Sequence, residues 1–160
     1  MTQQKELKGI HGWLALFVVG LILSILVNLG FLLGTFLPDY LTNKALFTIL
    51  DQNSSFYHPD LAYVVIYEAI INVLMIIMTF ILLSKMSQLK KYVPTLVIWF
   101  LIFKFTSTLI DELWINNSSE ILQLMGTKGD YTNSLHNGFY LIVWGAYFAE
   151  SKRVKNTFIK

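Results

Sequence analysis

LAYVVIYEAIINVLMIIMTFILL, running from Leu61 to Leu83, carries a single charge, Glu68. The polar stretch SKMSQLKKY, Ser84 to Tyr92, separates it from VPTLVIWFLIFKFTSTLIDEL, Val93 to Leu113. That second block is uncharged, Lys104 apart, until Asp111 and Glu112. About 20 apolar residues in a helix cross the ~30 Å of hydrocarbon in a bilayer. Two successive blocks of that length therefore predict two membrane-spanning helices. The short link makes them antiparallel neighbours, and Pro94 falls in the first turn of the second, where proline is tolerated. Strands of a membrane barrel would be about half as long and would alternate, which these blocks do not.

Working outward, two more blocks have the same character. One runs from about Trp13 to Leu37 and the other from about Thr132 to Phe148. The fold class is an all-α integral membrane protein, a four-helix transmembrane bundle of up-down topology. It forms one membrane domain over residues 1–160, with spans at about 13–37, 61–83, 93–113 and 132–148 and a basic tail at 149–160. Composition agrees: 55% of residues are hydrophobic and 14% charged, against about 25% charged in an ordinary globular domain. The first block outlasts a signal-peptide core and ends in no clean small-residue cleavage site, so it reads as a retained span.

The longer connections are not featureless. Between Pro38 and Asp60 the spacing of Leu41, Ala45, Leu46, Ile49 and Leu50 predicts a short amphipathic helix at the interface. Between Asn116 and Tyr131, Asn117 is placed to cap a short helix that carries Glu120 at its third position and ends at Gly126.

Lys and Arg set the orientation. Lys5, Lys8, Lys85, Lys90, Lys91, Lys152, Arg153, Lys155 and Lys160 fall on one side, whereas only Lys44 and Lys128 fall on the other, among acidic residues. The basic side is expected in the cytoplasm, which puts both termini there. A net charge of +2 gives no reason to expect nucleic acid as a partner. Absence of cysteine excludes disulfides, thiolate metal sites and a cysteine nucleophile.

Glu68 and Lys104 are the two ionisable residues inside the spans. Each lies at a similar depth below the outer end of its helix, so they can meet as an ion pair. A charge at mid-bilayer costs ~2.5–3.5 kcal/mol on insertion scales, so a partner or a watered cavity is expected. Polar residues follow them at helical spacing. Asn72 and Thr79 share the face of Glu68, and Thr108 and Asp111 share the face of Lys104. Ser24, Asn28 and Thr35 share a face of the first helix, and His136, Asn137 and Tyr140 lie near the outer end of the fourth. Two readings stand side by side. Glu68, Lys104, Asn28, Asn72, Thr108, Asp111, His136 and Asn137 form an outward-opening binding site or proton relay, or they form a buried network that fixes helix pairing.

Small residues recur as Gly30-Gly34, Ser134-Gly138 and Gly145-Ala149, each pair four apart. Such pairs let helices approach closely, within one chain or between copies. No nucleophile motif, phosphate loop or metal-ligand spacing is present among His11, His58 and His136. No enzyme activity, cofactor or metal is expected. Asp111-Glu112 reads as a solvated helix end, and Trp13, Tyr92, Trp114, Tyr131, Trp144 and Tyr147 read as an interfacial belt.

The two ends carry a resemblance. Gly9-Ile10-His11-Gly12-Trp13-Leu14 opens the first span, and Val143-Trp144-Gly145-Ala146-Tyr147-Phe148 leads into Ser151-Lys152-Arg153-Val154-Lys155-Asn156-Thr157-Phe158. Together they resemble the bacterial family known as domain of unknown function 2569, with its G-G-W-L opening and its W-x-P-Y-F-x-x-S-x-R-V-K-x-T-F close. His11 replaces the first glycine, and Ala146 replaces the proline and any kink it would impose. The resemblance implies a four-span protein of the bacterial inner membrane and carries no activity with it.

The tail has its own physical reading. Lys152, Arg153 and Lys155 lie against anionic headgroups, each worth ~1 kcal/mol near the surface, while Phe158 dips into the bilayer, or the segment docks a partner. The expected partners are the lipid bilayer with its anionic headgroups, a membrane or cytoplasmic protein, and a further copy of the chain. The expected function is a non-enzymatic membrane interaction or assembly protein. The alternative is a small-ligand or proton-linked transport or sensing module centred on Glu68 and Lys104.

Overall fold

The computed structural model describes residues 8–126 and 128–160, which form helices and turns with no strand among them. Lys5, counted above on the basic side, lies outside the described residues. Helix α1, Trp13–Phe31, continues without a break into a wide π-wound segment, Leu32–Thr42. A short α2, Ala45–Leu50, precedes the long α3, Pro59–Ser87, and α4, Val93–Asn117. The short α5, Ser119–Met125, leads to α6, Thr132–Glu150, and α7, Lys152–Thr157. Helix α3 packs against α1 and α4, and α4 packs against α6.

Three helices are long and apolar enough to cross a membrane: Trp13–Thr42, Pro59–Ser87 and Val93–Asn117. No more than 28% of each apolar window is buried inside the protein. Most of these side chains, Val27, Ile77 and Trp99 among them, therefore face outward. An apolar outer surface of this extent marks a membrane protein. Helix α6 has 19 residues but begins with Thr132, Asn133 and Ser134 and carries His136 and Asn137. It is not one of the three.

The first helix outruns its expected end at Leu37. Proline has no N–H to give to an α-helical turn, and from Leu32 the winding widens, so Pro38 is carried inside the helix. Its carbonyl accepts from the Asn43 N–H at 2.9 Å, five residues on, which is the spacing of a π turn. The short helices expected in both long connections form. In the second, Ser118 rather than Asn117 is the cap, its Oγ accepting from the Ile121 N–H at 3.3 Å, and Gly126 closes the turn at φ 62°.

Helix α6 starts at Tyr131, which offers no side-chain cap. Its free amides are met from elsewhere. Asp130 Oδ1 accepts from Thr132 N at 2.9 Å, and the two Glu112 carboxylate oxygens accept from Asn133 N at 2.9 Å and Ser134 N at 3.0 Å. Glu112 is thus a buried side chain, not the solvated helix end expected of it. Four orphan amides at a helix start need acceptors, and a carboxylate from the neighbouring helix supplies both oxygens at the positive end of the dipole.

Candidate functional site

Helices α1, α3 and α4 line a half-open cavity of about 290 Å³. Asn28, Glu68, Asn72, Lys104, Thr108 and Asp111 line it, so the structure brings six of the eight expected polar-network residues together. Asn137 reaches its edge by donating from Nδ2 to Thr108 Oγ1 at 2.9 Å. His136 does not join them. It is exposed on α6, one residue from Asn137 and hence about 100° around the helix. Thr79 is also absent from the lining; it is fully buried and donates back to Met75 O at 2.6 Å. Tyr67 and Ser107 line the cavity unanticipated. Their link is a Tyr67 hydroxyl that donates to the Ser107 carbonyl at 3.0 Å, and no sequence spacing announces a bond to a backbone carbonyl.

The expected ion pair is not formed. Among the described residues the salt bridges are His58–Glu120 and Lys155–Glu150. Glu68 and Lys104 line the same cavity more than a contact distance apart. Lys104 Nζ instead sits 5.2 Å from the centroid of the Tyr140 ring on α6, a cation–π distance. Asp111 Oδ1 is buried with no hydrogen-bond partner. A network serving only as a staple would pair its charges and satisfy such an atom.

The walls divide by character. Val27, Phe31, Ile71 and Met75 supply apolar surface. The polar groups have mostly spent their donors: Asn72 Nδ2 on Glu68 O at 2.8 Å, Thr108 Oγ1 on Lys104 O at 3.0 Å, and Tyr67 on Ser107 O. Val27 in this wall is 72% exposed. Helix α1 meets α6 lower down, where the Phe17 ring packs tilted against Trp144 and edge-on against Phe148, with centroids 4.9 and 4.8 Å apart. Trp144 is thus a buried core residue, not part of an interfacial belt. Four aromatic rings, those of Trp13, Phe17, Tyr140 and Tyr147, surround it and exclude lipid from its ring.

The opening and closing motifs meet at this lower end. The Gly9 N–H donates to Thr157 Oγ1 at 2.9 Å, across 148 positions of sequence. Lys160 pairs through its backbone with the α3–α4 link, accepting from Lys91 N at 2.6 Å and donating to Leu89 O at 3.1 Å. Ser151 caps α7, accepting from the Val154 N–H at 3.5 Å. Gly12 takes φ 58° and ψ −130°, a backbone region essentially reserved for glycine. Phe158 corrects the expectation of a residue dipping into lipid or docking a partner. It is 3% exposed and belongs to the core with Val154, Met86 and Val93, because an apolar socket within the protein lies closer than the bilayer. Lys152 and Lys155 remain exposed, and Arg153 is half-buried.

The small-residue pairs separate as well. A Cβ on Gly138 would stand 3.2 Å from Phe105 Cε2, so Ser134 and Gly138 mark the close α4–α6 contact. A Cβ on Gly145 would meet only Leu141 of its own helix, and one on Gly30 or Gly34 would meet nothing within 4 Å. Gly30 and Gly34 therefore do not pack helices within the chain. His58 Nδ1 lies 2.9 Å from Glu120 Oε1 and ties the two long connections together.

No curated protein and no solved structure matches the chain. The match lies with a sequence family whose model covers residues 7–159, from the glycine-rich opening through the Thr157-Phe158 close that the fold joins. On that coverage the chain belongs to the family described as "Protein of unknown function (DUF2569)".

Proposed function

We propose that this protein is a membrane-embedded binding module for a small polar solute, of the transport or sensing class, with its site in the α1–α3–α4 cavity. The observation that carries this reading is the disposition of Glu68 and Lys104. They line one cavity without pairing, in the company of an unpartnered Asp111 oxygen. Charges kept apart in a cavity wall are available to a ligand, whereas a packing staple would consume them. The geometry thus favours the transport-or-sensing alternative over the assembly role.

In the same reading α6 is the fourth span of an up-down bundle in the bacterial inner membrane, and both termini are cytoplasmic. Supporting this, the basic link at Lys90 and Lys91 and the basic tail share one end of the molecule, joined through Lys160. That end faces anionic headgroups.

The test is a thermal-shift screen of the protein in nanodiscs against small cations, anions and neutral solutes. At least one solute should raise the Tm by mass action, and Asn28→Phe, which fills the cavity, should abolish the rise. A screen with no responding solute, together with an Asn28→Phe variant more stable than the parent, would show a packing void rather than a site.

A further inference from the structure

We infer that the cavity takes a small alkylammonium cation, an N–H donor carrying a short carbon chain; this rests on the binding-site reading above. The argument is an inventory of donors and acceptors. Three lining groups each spend a donor on a backbone carbonyl: one N–H of the Asn72 amide, the Thr108 hydroxyl and the Tyr67 hydroxyl. A carbonyl can only accept, so those bonds fix which atom of each group is used. What remains to the cavity sets the Lys104 ammonium, the Asn28 amide N–H groups and the second Asn72 N–H against the Glu68 carboxylate, the Asp111 carboxylate with its unpartnered Oδ1, and the Asn28 and Asn72 amide oxygens. The acceptors carry the larger formal charge.

The one cationic side chain lining the space, Lys104, has an alternative hold on its charge in the Tyr140 ring. Two acids against one base leave a low-dielectric cavity short of positive charge, and a bound cation balances it. Size and wall character narrow the class. At ~30 Å³ per water in the liquid, 290 Å³ exceeds a bare ion and suits a chain of a few carbons. Val27, Phe31, Ile71 and Met75 provide the apolar surface for that chain. The ammonium can arrive from water as a free amine or from the bilayer as a headgroup, since the outward-facing Val27 is part of the cavity wall.

The test is titration calorimetry on the full chain in nanodiscs of phosphatidylglycerol, which has no amine. The probes are n-butylammonium chloride, sodium butyrate and n-butanol, with near-UV circular dichroism as the check on folding. Butylammonium should bind in preference to the other two. Glu68→Gln and Asp111→Asn should each weaken it about tenfold, the loss expected for one charge-assisted hydrogen bond. Lys104→Met should bind it no more weakly than the parent, and this variant reads the sign of the site even if a carboxyl variant folds poorly. Nanodiscs of phosphatidylethanolamine then identify the source. Suppressed butylammonium binding there shows a lipid headgroup in the site, and unchanged binding shows a free amine. Preference for butyrate, or butylammonium binding untouched by both carboxyl variants, overturns the cation assignment while leaving a binding cavity. Failure of all three probes to bind, with Asn28→Phe stabilising, overturns the cavity reading itself.

Discussion

The Glu112 carboxylate on α4 and the Ser134 amide on α6 sit 3.0 Å apart, and the other Glu112 oxygen holds the Asn133 amide. One side chain thus serves two of the first free donors of a helix that has no side-chain cap at its own start. Glu112→Ala strips both acceptors from a buried position and is expected to cost about 2 kcal/mol or more. Glu112→Gln keeps one acceptor oxygen and should lose less. Equilibrium unfolding of the two variants in detergent, followed by helical circular dichroism, ranks them.

Asp130 acts on the same helix start from the exposed side. Hydrogen bonds from the Thr132 hydroxyl, then from the Thr132 amide, hold its carboxyl below the usual aspartate range. A depressed folded-state value means that the charged form is favoured by folding. The contribution is complete above the usual range and disappears as pH falls through the lowered value. The Thr132 amide proton shift should therefore titrate on the acid side in the parent and stay flat in Asp130→Asn, as read by NMR.

Glu68 and Lys104 share one cavity without touching. A double-mutant cycle of Glu68→Gln and Lys104→Met should therefore give a coupling of about 1–2 kcal/mol, less than the about 3–5 kcal/mol lost when a buried ion pair in contact is broken. Each single variant should fold. A coupling of several kcal/mol in chemical unfolding would mean that the two side chains meet.

Glycine positions offer a paired contrast. Gly138→Leu drives a side chain into Phe105, where even a Cβ would stand at 3.2 Å, and should cost about 1–3 kcal/mol as overpacking. Gly30→Leu meets open space and should change stability by less than about 0.5 kcal/mol. Thermal unfolding of both in the same detergent makes the comparison.

The tail gives the largest expected loss. Phe158→Ala empties a fully enclosed site in the core and should cost about 3–5 kcal/mol. Lys152→Ala and Lys155→Ala, on exposed side chains, should leave unfolding unchanged. Denaturant midpoints separate the two classes.

What the sequence disclosed was periodic or compositional. The apolar blocks at Leu61–Leu83 and Val93–Leu113 locate α3 and α4 because lipid demands an unbroken apolar length. Helical spacing also put Glu68 with Asn72 and Lys104 with Thr108 and Asp111, because residues four apart share a face. It could not give the distance between two faces, so the ion pair was expected and the Tyr140 ring was not. Glu112 was misread because a carboxylate at a helix end looks the same whether water or another helix receives it. A sign was present in Tyr131, a poor cap for the helix that follows. Phe158 and Trp144 were misread for a related reason. An aromatic near a membrane surface suits lipid and protein equally, and only the fold decides which is closer. Pro38 ended the first span on paper because the α-helical turn was assumed, and the wider winding removes that constraint.

The Gly9–Thr157 bond joins positions 148 apart, and its consequence is kinetic. Local contacts such as α3 with α4 across the Gln88–Tyr92 link need little chain ordered before they form, whereas closing a loop of that length costs entropy that no local bond offsets. The core around Phe17, Trp144 and Phe158 therefore waits on the correct placement of everything between. Folding should show a fast assembly of neighbouring helices and then a slow closure of the two chain ends.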